Sequence, residues 1–121
     1  MTKTQRAIRA QMLALTKVGA GWDYVPGSYA LTIRKTELVR TPEINRGHGF
    51  GQWPDETYHR YLFVTLAARR PIIGDAPAPW MKRQDVETTY WLVQMILDAD
   101  DPFSVWENRH ILADNRKAGK A

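Results

Sequence analysis

Glycine and proline divide this chain into short segments, and this division is the strongest constraint on its fold. Eight glycines and seven prolines are spread over 121 residues, so few apolar runs continue far without meeting one of them. Glycine readily ends helices, and proline is excluded from helix interiors. No stretch approaches the ~18 consecutive apolar residues that a membrane span needs. The length of 121 residues suits one compact domain over residues 1–121, and we expect no membrane partner.

Two segments carry apolar residues at helical spacing. The first covers residues 4–18, is followed by two glycines, and has the apolar residues Ile8, Met12 and Leu15. The second begins near residue 86, and its apolar face consists of Val86, Tyr90, Val93 and Leu97. Both segments are predicted to be helices that turn one side to the core.

A further helix is predicted near the C-terminus. Asp101 followed by Pro102 has the pattern of an N-cap and a first helical position. The helix should extend to about Asp114, and the residues from about 115 onward are expected to form a frayed tail.

Residues 22–39 predict a β-hairpin. Strands over 22–25 and 28–39 flank Pro26 and Gly27, which suit the two central positions of a type II turn. In the second strand apolar and polar residues alternate, so that one face is expected to be buried and the other wet.

Residues 55–70 leave two interpretations open. Residues 61–66 are rich in strand formers, yet the flanking signals are helical: Pro54 and two acids precede the run, and two arginines and Pro71 follow it. We favour a helix and keep a strand as the alternative. The sequence then predicts an α+β fold in a helix-dominated single domain, with a small antiparallel β-hairpin packed on a three- to four-helix bundle and a flexible loop at 40–53.

Charge and cysteine content limit the classes of function. The chain carries 17 Lys and Arg against 13 Asp and Glu, and its first 22 residues contain basic residues without any acid. This asymmetry favours an anionic partner near the N-terminus. The chain has no cysteine, which excludes disulfides and thiolate chemistry and fits a cytoplasmic protein.

The candidate partner-binding residues are basic side chains and aromatic rings at element boundaries or in the glycine-rich loop. They are Arg6, Arg9, Lys17, Trp22, Arg46, His48, Phe50, Trp53 and Trp80. Further basic residues follow the hairpin at Arg34, Lys35 and Arg40. Basic surfaces with flat aromatic side chains are typical of nucleic-acid binding, and boundary tryptophans are typical anchors of protein interfaces.

Two Glu-x-x-His pairs suggest a metal site as the alternative. Glu56 with His59, and Glu107 with His110, would each share one face of a helix, and carboxylates with imidazoles suit zinc or iron. The further ligand that a di-iron site needs, Glu87, would lie at the opposite end of the bundle. We therefore expect no tightly bound metal and no cofactor.

The sequence predicts a function more by elimination than by motif. No constellation supplies a nucleophile, a base and an oxyanion partner together, so an enzyme is not favoured and no catalytic residue is predicted. We expect a small non-enzymatic accessory or inhibitor-type protein that binds a protein or a nucleic acid, of the kind that phages and mobile elements encode. A metal-dependent enzyme built on the paired Glu-x-x-His motifs is the alternative.

Overall fold

The computed structural model describes residues 2–27, 30–41, 56–67, 71–74 and 86–119. Over these ranges the chain forms helices on one side of a four-stranded antiparallel sheet. The helices are α1 (Lys3–Leu15), α2 (Val86–Asp98), α3 (Pro102–Glu107) and α4 (Arg109–Lys117). The strands are β1 (Trp22–Tyr24), β2 (Leu31–Thr41), β3 (Glu56–Leu66) and β4 (Pro71–Gly74).

The predicted first helix is confirmed as α1, and its start is fixed by a capping box. The Thr2 side chain accepts a hydrogen bond from the backbone N–H of Gln5 at 3.1 Å, and the Gln5 side chain accepts one from the backbone N–H of Thr2 at 2.9 Å. Ile8 and Met12 are buried, as their spacing predicts.

The predicted hairpin is confirmed as β1 and β2. Gly27 has a φ of 83° in the turn between them, a value that glycine adopts without strain. The two strands pair from Trp22 with Lys35 to Tyr24 with Ile33.

The expectation of a helix-dominated domain, with one small hairpin packed on a three- to four-helix bundle, is wrong. Residues 56–66, for which we favoured a helix, form β3 and pair with β2 through eleven residue pairs. β4 then pairs with β3, which gives the strand order β1-β2-β3-β4. The helical signals lay only at the ends of the segment, where each is worth ~1 kcal/mol or less. The pairing with β2 and the β-branched and aromatic content of the segment outweigh them.

The register divides the sheet into two faces. Directly paired residues point to the same side, so Ile33, Val64 and Ile73 share one face, which we call the covered face. Arg34 and Phe63 are paired on the opposite side, which we call the open face.

The helices lie against the covered face. Its apolar residues form one cluster with the buried side chains of α1, α2 and α3, among them Ile8, Leu92 and Phe103. Within the described ranges, the open face contributes no side chain to this apolar cluster. The α1 helix reaches the cluster beside α2, where Gln94 Nε2 donates to Gln11 Oε1 at 2.6 Å. The sheet thus has helices on one side only, among the elements that the structure describes.

β2 and β3 project beyond their neighbours. β1 pairs with β2 only over Ile33–Lys35, and β4 pairs with β3 only over Phe63–Leu66. Residues 36–41 and 56–61 therefore form a two-stranded extension, which we call the ribbon. Residues 42–55, which connect its strands and hold most of the loop predicted at 40–53, lie outside the described residues.

The C-terminal segment forms two helices where we predicted one. Asp101 caps α3 by accepting a hydrogen bond from the Ser104 N–H at 3.3 Å, and Pro102 occupies its first turn, as predicted. The chain then breaks at Asn108, and α4 continues to Lys117. Among the described helices, none has both the length and the apolar character that crossing a membrane requires.

Candidate functional site

The open face carries a row of rings along β3. His59, Tyr61 and Phe63 alternate with residues of the covered face and therefore project from the same side. The His59 and Tyr61 rings are nearly parallel, with an interplanar angle of 19° and centroids 6.5 Å apart. The Tyr61 and Phe63 rings are tilted by 46°, with centroids 6.2 Å apart. We call these residues the aromatic row.

β2 places arginines beside the aromatic row. Arg34 lies diagonally across from Tyr61, and its guanidinium carbon sits 5.1 Å from the centroid of the Tyr61 ring. Arg40 projects from the same face farther along the ribbon and is exposed. A cation over an aromatic ring is attracted by the electrons of its face, so Arg34 is held against the row.

Arg34 also has an unused donor. Its Nε is buried and has no hydrogen-bond partner within the part of the chain that the structure describes. Leaving a buried donor unsatisfied costs ~1–3 kcal/mol. Removing that cost requires the Arg34 side chain to move so that its N–H meets an acceptor oxygen, which a ligand on the open face can supply.

The end of the open face nearest β4 carries two threonine hydroxyls, with Ile72 paired beside Thr65. Thr32 and Thr65 form a cross-strand hydrogen bond between their hydroxyls at 2.9 Å. Gly74 pairs with Phe63 and has no side chain, so nothing from that position of β4 stands beside the Phe63 ring. The aromatic row is therefore bordered by hydroxyls at one end and continues onto the ribbon at the other.

The covered side of the ribbon carries an ion-pair network. Arg60 donates to Glu37 on β2 and to Glu107 at the end of α3, and its guanidinium carbon lies 4.4 Å from the centroid of the Phe103 ring. Partial burial disfavours the charged form of Arg60, but the hydrogen bonds to Glu107 and Glu37 outweigh this effect, and the pKa of Arg60 is raised. This network ties α3 to the ribbon on the side opposite to the aromatic row.

The metal hypothesis assumed that each Glu-x-x-His pair lies within one helix, and neither pair does. Glu56 and His59 lie on the strand β3 and not on a helix, so the shared face that helical spacing predicted does not apply to them. Glu107 ends α3 and His110 lies in α4, beyond the break at Asn108. Within the described ranges, no three histidine, aspartate or glutamate side chains come together as metal ligands would.

The partner-binding residues predicted from the sequence are dispersed. Arg6 and Arg9 are exposed on α1, and Lys17 is exposed just after it, all in the helix layer on the covered side of the sheet. Trp22 is 4% exposed and belongs to the core. The other candidates, Arg46, His48, Phe50, Trp53 and Trp80, lie outside the described residues.

The sequence interpretation missed the aromatic row itself. Its members occur at every second position from 59 to 63, which is strand spacing, and Arg34 was noted only as part of a scattered basic set. A pattern of period 2 was therefore present. It was hidden because Leu62 and Val64, on the other face, make the same stretch apolar without interruption.

Comparison with known proteins leaves the geometry as the basis for any functional conclusion. The chain was compared with protein-family models, with curated proteins and with solved structures, and none of the three comparisons gave a match.

Proposed function

We propose that this protein binds single-stranded nucleic acid on the open face of its sheet and does not catalyse a reaction. The observation that carries the proposal is the aromatic row, in which three rings stand on one face at intervals of 6.5 and 6.2 Å. Single strands bind proteins by stacking unpaired bases on aromatic side chains, which is possible for every base because each has a flat π-face.

The spacing of the rings follows from the strand that bears them. Alternate residues of an antiparallel strand are ~6.8 Å apart, so rings at 59, 61 and 63 repeat at nearly that interval. A duplex holds its bases stacked on one another and cannot present them to such rings. A single strand with its bases splayed apart can, which favours single strands over duplexes as the ligand.

The charge of the open face supports the same ligand. Arg34 and Arg40 lie beside the row, against one acid, Asp23, on the described part of this face. The whole chain has a formal net charge of +4. Arginine binds phosphate oxygens through several N–H donors, and it also stacks on bases. Arg6, Arg9 and Lys17 lie on the other side of the sheet, so we assign them long-range attraction of the strand rather than direct contact.

The earlier alternatives have less support. A metal-dependent enzyme needs ligands that converge, and within the described ranges no three histidine, aspartate or glutamate side chains do so. A protein partner is favoured only by single exposed apolar residues of the ribbon, Leu38 and Tyr58, which project from opposite faces. An accessory role and a cytoplasmic location remain expectations from the sequence.

The test is binding of a fluorescently labelled single strand, measured by anisotropy, to the wild-type protein and to Tyr61→Ala. Removing one stacking ring costs ~1–3 kcal/mol, so the affinity should fall by roughly 5- to 150-fold. The matched control is Tyr58→Ala, because Tyr58 is on the same strand and 52% exposed but projects from the other face. Its affinity should equal that of the wild type.

Two results would contradict the proposal. One is a wild-type protein that binds no single strand, even at low salt where phosphate contacts are strongest. The other is an equal loss in Tyr58→Ala and Tyr61→Ala, which would mean that the open face is not the binding surface. In either case the exposed residues of the ribbon would become the first candidates for a protein interface.

A further inference from the structure

A cavity lies on the covered side of the sheet, between the α3–α4 pair and the part of β3 before Phe63, which β4 does not pair. Its volume is about 300 Å³, and its lining residues are Arg60, Tyr61, Phe103, Trp106, Glu107 and Arg109. Pockets for small ligands begin at about this volume, so the cavity has room for a single small group. Tyr61 belongs both to this cavity, which we call the edge pocket, and to the aromatic row.

The walls of the edge pocket are flat and charged. Arg60 covers Phe103, and the guanidinium carbon of Arg109 lies 3.8 Å from the centroid of the Trp106 ring. Arg109 Nη1 also donates to the backbone carbonyl oxygen of Trp106 at 2.8 Å, which fixes the guanidinium over the ring. A planar ligand can stack against guanidinium groups held in this way.

The edge pocket also has a carboxylate, which the aromatic row lacks. Glu107 contributes a carboxylate whose side chain is 55% exposed and whose Oε1 accepts from Arg60. An ionised carboxylate has about four acceptor sites, so the bond to Arg60 leaves capacity for a ligand. The pocket therefore combines a directional acceptor with arginine donors and aromatic walls.

We propose that the edge pocket binds one base of a strand that crosses the aromatic row and passes around the edge of β3, and that it selects guanine. The proposal rests on the proposed function, since it concerns the same strand. Stacking on the row accepts any base, so selectivity has to come from directed hydrogen bonds. Guanine has adjacent N–H donors that match the carboxylate of Glu107, and its O6 and N7 accept from arginine. Thymine has a single N–H donor and fits less well.

The experiment compares two labelled single-stranded oligonucleotides, oligothymidine and oligothymidine with one central guanine, on the wild-type protein and on Glu107→Gln. A good bidentate contact discriminates by about 5- to 150-fold, so the wild type should bind the guanine-containing strand at least about fivefold more tightly. Glu107→Gln should bind both strands alike. The matched control is Glu87→Gln, because Glu87 is an exposed glutamate of α2 that pairs with Arg116 away from the pocket.

The control separates base selection from a simple change of charge. Either substitution removes one negative charge and should raise the affinity for both strands by a similar small factor. The proposal is upheld if only Glu107→Gln loses the preference for guanine. It is overturned if the wild type binds both strands equally, or if Glu107→Gln keeps the preference. In both of these cases binding of oligothymidine would leave the proposed function standing, whereas a wild type that binds neither strand would overturn both proposals.

Discussion

The two faces of the sheet carry similar apolar and aromatic residues in different environments. Leu62 and Val64 on the covered face are fully buried, because α1, α2 and α3 supply apolar partners. Tyr61 and Phe63 on the open face are only partly buried, and their described ring contacts are with each other, with His59 and with Arg34. An apolar residue of a strand is thus part of the core only when another element packs on its face. Where none does, the same type of residue is available to a ligand.

The largest expected effect comes from the covered face. Leu62→Ala should lower the free energy of unfolding by ~2–5 kcal/mol, because it leaves a cavity in a fully buried site. His59→Ala, three residues earlier on the same strand but exposed on the open face, should change it by less than ~0.5 kcal/mol. Urea denaturation of both variants measures the difference. A loss in His59→Ala as large as that in Leu62→Ala would show that the open face is packed in solution.

A smaller effect is expected on the salt dependence of single-strand binding, to which the sheet and the helix layer should contribute differently. Arg34→Ala should reduce the salt dependence of single-strand affinity by ~0.7 in the slope of log K against log salt, if Arg34 contacts one phosphate. This equals about 1 kcal/mol for each tenfold change in salt. Arg6→Ala removes an exposed arginine of α1 on the other side of the sheet, which acts only at long range, and should change the slope far less. An equal reduction in Arg6→Ala would extend the footprint to α1, as the acid-free N-terminus first suggested.

The smallest effect is expected at the ion pairs of the covered side. Glu37→Gln removes one of the two carboxylates that accept from Arg60, and both side chains of that pair are partly exposed. Exposed ion pairs are worth ~0–1 kcal/mol, so thermal unfolding should change little. The affinity for oligothymidine should show no loss, because Glu37 lies on the covered side, away from the aromatic row on which thymine stacks. A loss above ~2 kcal/mol in stability would mean that the network, and not the apolar cluster, holds α3 to the ribbon.

Local sequence patterns predicted the elements whose apolar residues all face one way. In α1 and α2 the buried residues recur at helical spacing, and the Pro26–Gly27 turn defined the hairpin. For β3 a helix was favoured over the strand alternative because both faces of the segment are apolar or aromatic over residues 61–64, which conceals the alternation of a strand. The rings that conceal the alternation are Tyr61 and Phe63, so the feature that hid the strand is part of the candidate site.

The site was less predictable than the elements because it is assembled across strands. Arg34 and Tyr61 are 27 positions apart, and only the register of β2 with β3 places them diagonally. The sequence identified Arg34 and Arg40 as basic residues but could not show that they share a face with a row of rings. Trp22 was expected at a surface because it begins an element. Its register with Lys35 and Leu62 instead places its side chain on the covered face, where it is buried.

The strand order also has a consequence for how the chain folds as it is synthesised. Each strand pairs with the one before it, so the sheet assembles through contacts between neighbouring segments, which form quickly. The contact between Gln11 and Gln94 joins α1 to α2 across 83 positions, and such contacts require a long loop to close. α1 leaves the ribosome first but meets its partner only after α2 has been made. We therefore expect Ile8 and Met12 to stay exposed to water until α2 has been made, and a nascent chain to be most prone to aggregation through α1.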